Sequence, residues 1–259
     1  MKLQDKSVIV TGAGAGIGRV LALEFAKNGA RVVCCGRRAK LLDETVDLIN
    51  RQGGIGLAVP TDITQHDQVK TMVVAALEHF GGIDVLFNNA GSFTSIAGVF
   101  EVDPKTWWHD VSVNLLGSLL CIREVLPHMM DRNRGVIINM GGGRPTGGTG
   151  YACGKAGVVE LGRILVEELK MEGSNVIILT AGPGLVRTEM TELQANTEAG
   201  RKWIPSTAEM LQAGKERRAE QIAATTIEMI RLVKPEHSGL KYGPVPDVAK
   251  FLAEQSEKS

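Results

Sequence analysis

Thr11-Gly12-Ala13-Gly14-Ala15-Gly16-Ile17-Gly18 follows the apolar run Ser7–Thr11 and leads into a stretch of helical period, Ile17–Asn28. Glycines between a buried strand and a helix permit a tight turn and let the backbone approach a phosphate. The free N–H groups of the helix N-terminus then complete an anion site. Gly12, Gly16 and Gly18 are spaced G-x-x-x-G-x-G, not the G-x-G-x-x-G of the common dinucleotide fingerprint, and Gly14 is additional. A plain β–α turn has the same composition, so the surrounding chain has to decide.

Outward from that stretch, apolar β-branched runs alternate with helix-period segments. Ser7–Thr11, Arg31–Cys35, Ile55–Val59, Val85–Asn88, Val136–Asn139 and Val176–Thr180 read as short buried strands. Ile17–Asn28, Lys40–Gln52, Gln65–Phe80, Lys105–Arg132 and Ala152–Glu172 read as helices. This alternation implies βαβ units, hence a doubly wound, mostly parallel α/β sheet of the Rossmann type with helices on both faces. Leu240–Val245 is a weak seventh strand that Pro244 and Pro246 confine to a sheet edge. No linker divides the chain, so residues 1–259 are expected to form one domain. Thr225–Val233 reads as another helix. The polar segment at about 187–218 is expected to be a substrate lid or a helical hairpin packed on the core.

Composition narrows the function. The 259 residues carry 29 Lys+Arg against 29 Asp+Glu, which leaves no global electrostatic footprint for nucleic acid or anionic membrane. Val8-Ile9-Val10 is too short for a signal peptide, and no run approaches the ~20 apolar residues that span a bilayer. Cys34, Cys35, Cys121 and Cys153 lack metal spacing. They are expected to be buried, reduced thiols of a cytoplasmic protein, with Cys34 and Cys35 on opposite sheet faces. The 31 glycines exceed the roughly 18 of average usage.

Three further motifs stand in order and register with the glycine stretch: Asn88-Asn89-Ala90-Gly91 after the fourth strand, Val113-Asn114-Leu115 in the long helix, and Tyr151-x-x-x-Lys155 on a late helix. With them, residues from about 5 to 190 resemble the short-chain dehydrogenase/reductase family. The resemblance implies a dinucleotide held by Gly12, Gly14, Ala15, Gly16, Ile17 and Gly18, by Asn89, Ala90 and Gly91, and by Pro183, Gly184 and Thr188 at the nicotinamide end. Asp62 and Ile63 resemble the family's adenine contacts, although Asp62 as a helix N-cap reads equally well. Gly36 stands where an NAD-selecting acid would be, and Arg37 and Arg38 follow. A guanidinium grips a 2′-phosphate that a carboxylate would repel, so NADP(H) is favoured, with Arg37 the main contact and NAD the alternative.

Tyr151 and Lys155, four apart, share one helix face. The ammonium and a positively charged nicotinamide are expected to lower the phenol's pKa from about 10, making Tyr151 the general acid/base. The resemblance gives Lys155 the ribose hydroxyls as well and makes Asn114 the anchor of a proton-relay water. The family's serine, about a dozen residues before the tyrosine, is absent. The run Gly141-Gly142-Gly143-Arg144-Pro145-Thr146-Gly147-Gly148-Thr149-Gly150 stands in its place. Thr146 or Thr149 then supplies the hydroxyl, or backbone N–H groups around Gly142 substitute for it. The implied function is interconversion of a carbonyl and a secondary alcohol on a partly hydrophobic small molecule, by a homodimer or homotetramer. An NAD-linked alcohol dehydrogenase and a weakly active cofactor-binding relative are the alternatives.

Overall fold

The structure, a computed structural model, describes residues 1–143 and 145–257. Seven strands, β1 (Ser7–Thr11), β2 (Arg31–Gly36), β3 (Ile55–Pro60), β4 (Val85–Asn88), β5 (Val136–Met140), β6 (Ile177–Ala181) and β7 (Lys241–Tyr242), form one sheet in the order β3-β2-β1-β4-β5-β6-β7. Every pairing is parallel. The order reverses between β1 and β4, where an open α/β sheet leaves a crevice at the strands' carboxyl ends.

Alternation along the strands builds two cores. Val8, Val10 and Cys34 pack with Leu21 and Phe25 of α1 (Gly16–Lys27) and with Ile222, Ile227 and Ile230 of α10 (Ala219–Leu232). Ile9 and Cys35 face the other way, onto Met72 of α3 (His66–Phe80), Val125 of α5 (Gly117–Asp131) and Leu165 of α6 (Thr149–Met171). Between β2 and β3, α2 (Ala39–Arg51) lies on the first face through Leu42 and Ile49. Each fully buried Ile or Phe contributes about 1.5–3 kcal/mol, so the sheet is held from both sides. Cys34 and Cys35 do point to opposite faces. Cys153 is exposed, correcting the expectation of four buried thiols. It sits two positions from Tyr151 on α6, which turns it away from the site.

The expected helix over 105–132 is divided. α4 (Pro104–Val111) passes through a π-helical turn at Ser112–Leu116 before α5 begins. The seventh strand is only two residues long, and Pro244 and Pro246 lie beyond it. The charged tail then forms α11 (Val248–Ser256), capped by Asp247 and buried through Val248 and Leu252. Residues 187–218 contain α7 (Glu189–Asn196), α8 (Glu198–Trp203) and α9 (Pro205–Gln212), and a bridge between Val186 and Arg217 closes their base.

Candidate active site

At the sheet's crevice, the turn after β1 holds Gly12 and Gly16 at φ of 70° and 53°, a region other residues enter only with strain. A Cβ on Gly18 would collide with the Gly12 carbonyl, so only glycine lets α1 start this close to the turn. Asn89, at the end of β4, ties the turn down: its Nδ2 donates to the Thr11 carbonyl at 2.8 Å. The N–H groups of Asn89 and Ala90 donate to Thr11 Oγ1, both at 3.0 Å. Ala15, the residue before α1, offers no side-chain cap, so the first N–H groups of Gly16, Ile17 and Gly18 are left for a ligand. Across the crevice, a Cβ on Gly16 would lie 3.3 Å from Thr188 Cγ2. Thr188 caps α7 together with Thr191, just after Pro183 and Gly184. A glycine cradle facing an uncapped helix N-terminus fits a dinucleotide pyrophosphate.

Beyond the cradle, β2 ends at Gly36, and both arginines after it are exposed. Arg38 Nη1 reaches Glu189 Oε2 on α7 at 2.9 Å, which leaves the Arg37 side chain as the one facing solvent without an ion pair among the described residues. Asp62 is not the N-cap of α3, which begins after Gln65. Its Oδ1 instead accepts from the N–H and hydroxyl of Thr64, at 3.0 and 2.8 Å. Ile63 is buried against Gly117.

The chemical groups converge from three elements. Lys155 is buried on α6, with Nζ 2.9 Å from the Met140 carbonyl and 5.9 Å from the centre of the Tyr151 ring. Burial alone pulls the lysine down to about 8 and pushes the tyrosine up to about 12. This reverses the lowering expected for Tyr151. Lys155 is buried and Tyr151 half-buried, and at this separation removing a charge from solvent outweighs their mutual effect. Asn114 sits in the π-helical turn, a local widening often found at functional sites. Its Nδ2 donates to the Ser92 and Asp110 carbonyls at 2.6 and 2.7 Å. Its Oδ1 is buried with no partner among the described residues. A Cβ on Gly91 would lie 2.9 Å from that oxygen and 3.6 Å from Lys155 Nζ, so the gap left by Gly91 lies between the two groups.

The glycine run before Tyr151 receives aromatic side chains. A Cβ on Gly142 would strike the Tyr151 hydroxyl, one on Gly147 would strike Trp203, and one on Gly148 would strike the ring of Phe93. Both threonines of the run are engaged elsewhere. Thr146 Oγ1 donates to the Trp203 carbonyl at 2.7 Å, and Thr149 Oγ1 accepts from Trp107 Nε1 at 3.0 Å. Of the three candidates for replacing the serine, Gly142 alone lies against the tyrosine oxygen. Phe93, stacked on Tyr151 with centroids 4.6 Å apart and planes 9° from parallel, escaped the sequence reading. So did Asp110, whose signal was available: a carboxylate one helical turn before Asn114, on the same face.

The description "short chain dehydrogenase" belongs to the family model that matches residues 6–199. A 3-oxoacyl-(acyl-carrier-protein) reductase from Thermotoga maritima is 34% identical over 199 residues, covering 74% of this chain and 78% of its own. The BbsD subunit of a hydroxy(phenyl)methylsuccinyl-CoA dehydrogenase from Thauera aromatica is 34% identical over 193 residues, 73% of this chain and 77% of its own. A solved structure of a candidate short-chain dehydrogenase/reductase from Burkholderia xenovorans superposes with a TM-score of 0.81 at 25% identity, covering 96% of this chain and 98% of the other. The chain belongs to the short-chain dehydrogenase/reductase family and is an oxidoreductase of the kind that uses NAD(P) and small-molecule substrates. Among the described residues no helix is long and apolar enough to cross a membrane.

Proposed function

We propose that this protein is an NADP(H)-dependent oxidoreductase that interconverts a carbonyl and a secondary alcohol, with Tyr151 as the proton-transfer group. The observation that carries this reading is the placement of the Tyr151 hydroxyl against bare backbone at Gly142, with buried Lys155 beneath it. Burial keeps the phenol protonated near neutral pH, the form needed to protonate a carbonyl oxygen during reduction. Lys155 holds the ribose hydroxyls, and Asn114 Oδ1 is aimed at a proton path towards it. With no serine present, the N–H groups of Gly142 and Gly143 polarise the carbonyl. A nicotinamide held there would supply or accept the hydride, and its positive charge when oxidised would favour the phenolate form of Tyr151 needed in the reverse direction.

Arg37 holds the 2′-phosphate, while the 12–18 turn, Asn89–Gly91, Asp62, Ile63 and the Pro183–Thr188 segment hold the rest of the cofactor. Residues 187–218 act as the lid over a partly hydrophobic substrate, within a single cytoplasmic domain that assembles as a homodimer or homotetramer. Oxidation of NADPH against a panel of ketones and aldehydes tests the reading. Tyr151→Phe is expected to lower the rate by about 10²–10⁴-fold. Undiminished turnover in that variant, or no turnover of any carbonyl by the parent protein, overturns it.

A further inference from the structure

A carboxylate with no exposed surface lies one helical turn before Asn114. Asp110 accepts from the hydroxyls of Ser92 at 2.6 Å and Ser95 at 2.6 Å, and from that of Thr94 at 3.0 Å. It also accepts from the backbone N–H groups of Thr94, at 2.9 Å, and Ser95, at 2.8 Å. Charge-assisted hydrogen bonds in a buried setting are the strong ones, and five donors on one carboxylate fix the turn 92–95. Phe93 is the one residue of that turn that donates nothing to it. Its ring, nearly fully buried, is turned the other way, flat on Tyr151. The edge of the ring fills the space that Gly148 leaves for want of a side chain. The same turn also sets Asn114, because the Ser92 and Asp110 carbonyls both accept from its amide.

We propose that Phe93 is a positioning residue for Tyr151, seated by the Asp110 carboxylate, and that this aromatic contact takes over the restraint of the reacting site that a loop hydroxyl would otherwise share. The proposal rests on the reading of Tyr151 as the proton-transfer group. A face-to-face ring restricts the phenol's swing to motion within its own plane and keeps water off one of its faces. Both effects matter more where the neighbouring loop is glycine and offers no side chain to hold the hydroxyl.

The test compares Phe93→Leu, Asp110→Asn and Tyr151→Phe with the parent enzyme, using the best carbonyl substrate of the panel and NADPH. Phe93→Leu keeps the apolar volume and removes the flat contact. It is expected to lower kcat about tenfold, leave the NADPH Kd within about twofold, and move the high-pH limb of kcat to lower pH as water reaches the phenol. Asp110→Asn is expected to move the same limb in the same direction. If that variant fails to fold, Phe93→Leu decides alone. An inactive Tyr151→Phe together with Phe93→Leu that keeps the parent kcat and pH limb overturns the positioning role and spares the proton-transfer reading. An active Tyr151→Phe overturns both.

Discussion

Gly142 and Tyr151 meet so closely that a Cβ on the glycine would occupy the phenol oxygen's space. A hydroxyl therefore cannot be restored by placing serine there. Gly142→Ser is expected to lower kcat at least tenfold, because the tyrosine must leave its position to admit the side chain. Gly143→Ser separates crowding from any other effect of a side chain in the loop. Nothing lies within 4 Å of its added Cβ and its N–H stays in place, so it should lose less kcat than Gly142→Ser. A faster Gly142→Ser enzyme would show that the loop yields and the tyrosine does not.

Cofactor choice turns on two neighbouring arginines with different partners. Arg38 is occupied by Glu189, whereas Arg37 is free to meet a 2′-phosphate. Losing one charge-assisted contact should weaken NADPH binding by about 10–100-fold in Arg37→Ala and leave NADH binding nearly unchanged. Arg38→Ala should cost less. Fluorescence titration with both nucleotides reads these differences, and an NADH preference indifferent to Arg37→Ala would refute the assignment.

Lys155 makes the site unstable as well as reactive. Its folded-state pKa of about 8 lies below the unfolded value of 10.5, so the folded chain binds the proton more weakly. Stability therefore rises with pH from about 8 to 10.5, and below 8 the buried ammonium costs on the order of 3 kcal/mol. Lys155→Met should be inactive yet raise Tm by several degrees at pH 7, with the advantage shrinking towards pH 10.5. Tyr151 acts in the opposite sense at higher pH. Its pKa is raised to about 12, so its contribution falls as the unfolded phenol ionises above about 10. Thermal melts across this range check both signs.

Thiol accessibility gives a direct check of the packing. Cys34 and Cys35 are pushed up to about 12 by burial, Cys121 is also raised, and Cys153 is exposed. DTNB should titrate one thiol in the folded chain and all four in guanidinium. A second fast thiol in the native protein would contradict the two-sided core.

Much of this structure is legible in the order of residues, because period and punctuation are local. The strands fall where β-branched runs predict them, and Cys34 and Cys35 part to opposite faces as a pleat requires. The π-helical turn at Ser112–Leu116 left no mark, since residues 111–122 are mostly apolar and a shift of helical phase does not show in so uniform a run. α11 did leave one: Asp247 followed by Val248, Phe251 and Leu252 is a capped helix that the surrounding charges conceal. At the candidate site, the spacing of Tyr151 and Lys155 reads directly. Their pKa directions depend on burial, which is a property of the whole fold. Phe93 was illegible because nothing in a loop sequence says which ring it will lie against.

The glycine run before Tyr151 has one more consequence, and it concerns how the loop can change. Gly142, Gly147 and Gly148 are each moulded to a partner: Tyr151, Trp203 and Phe93. A side chain added at any one position collides with an aromatic ring or its hydroxyl, and shrinking one ring alone opens a cavity of the kind that costs several kcal/mol. Neighbouring changes of this sort are strongly non-additive. Putting side chains into this loop at these positions therefore requires several rings to move or shrink together, and single substitutions there lead only through damaged enzymes. With the aromatics seated in the glycines, the loop resists piecemeal change.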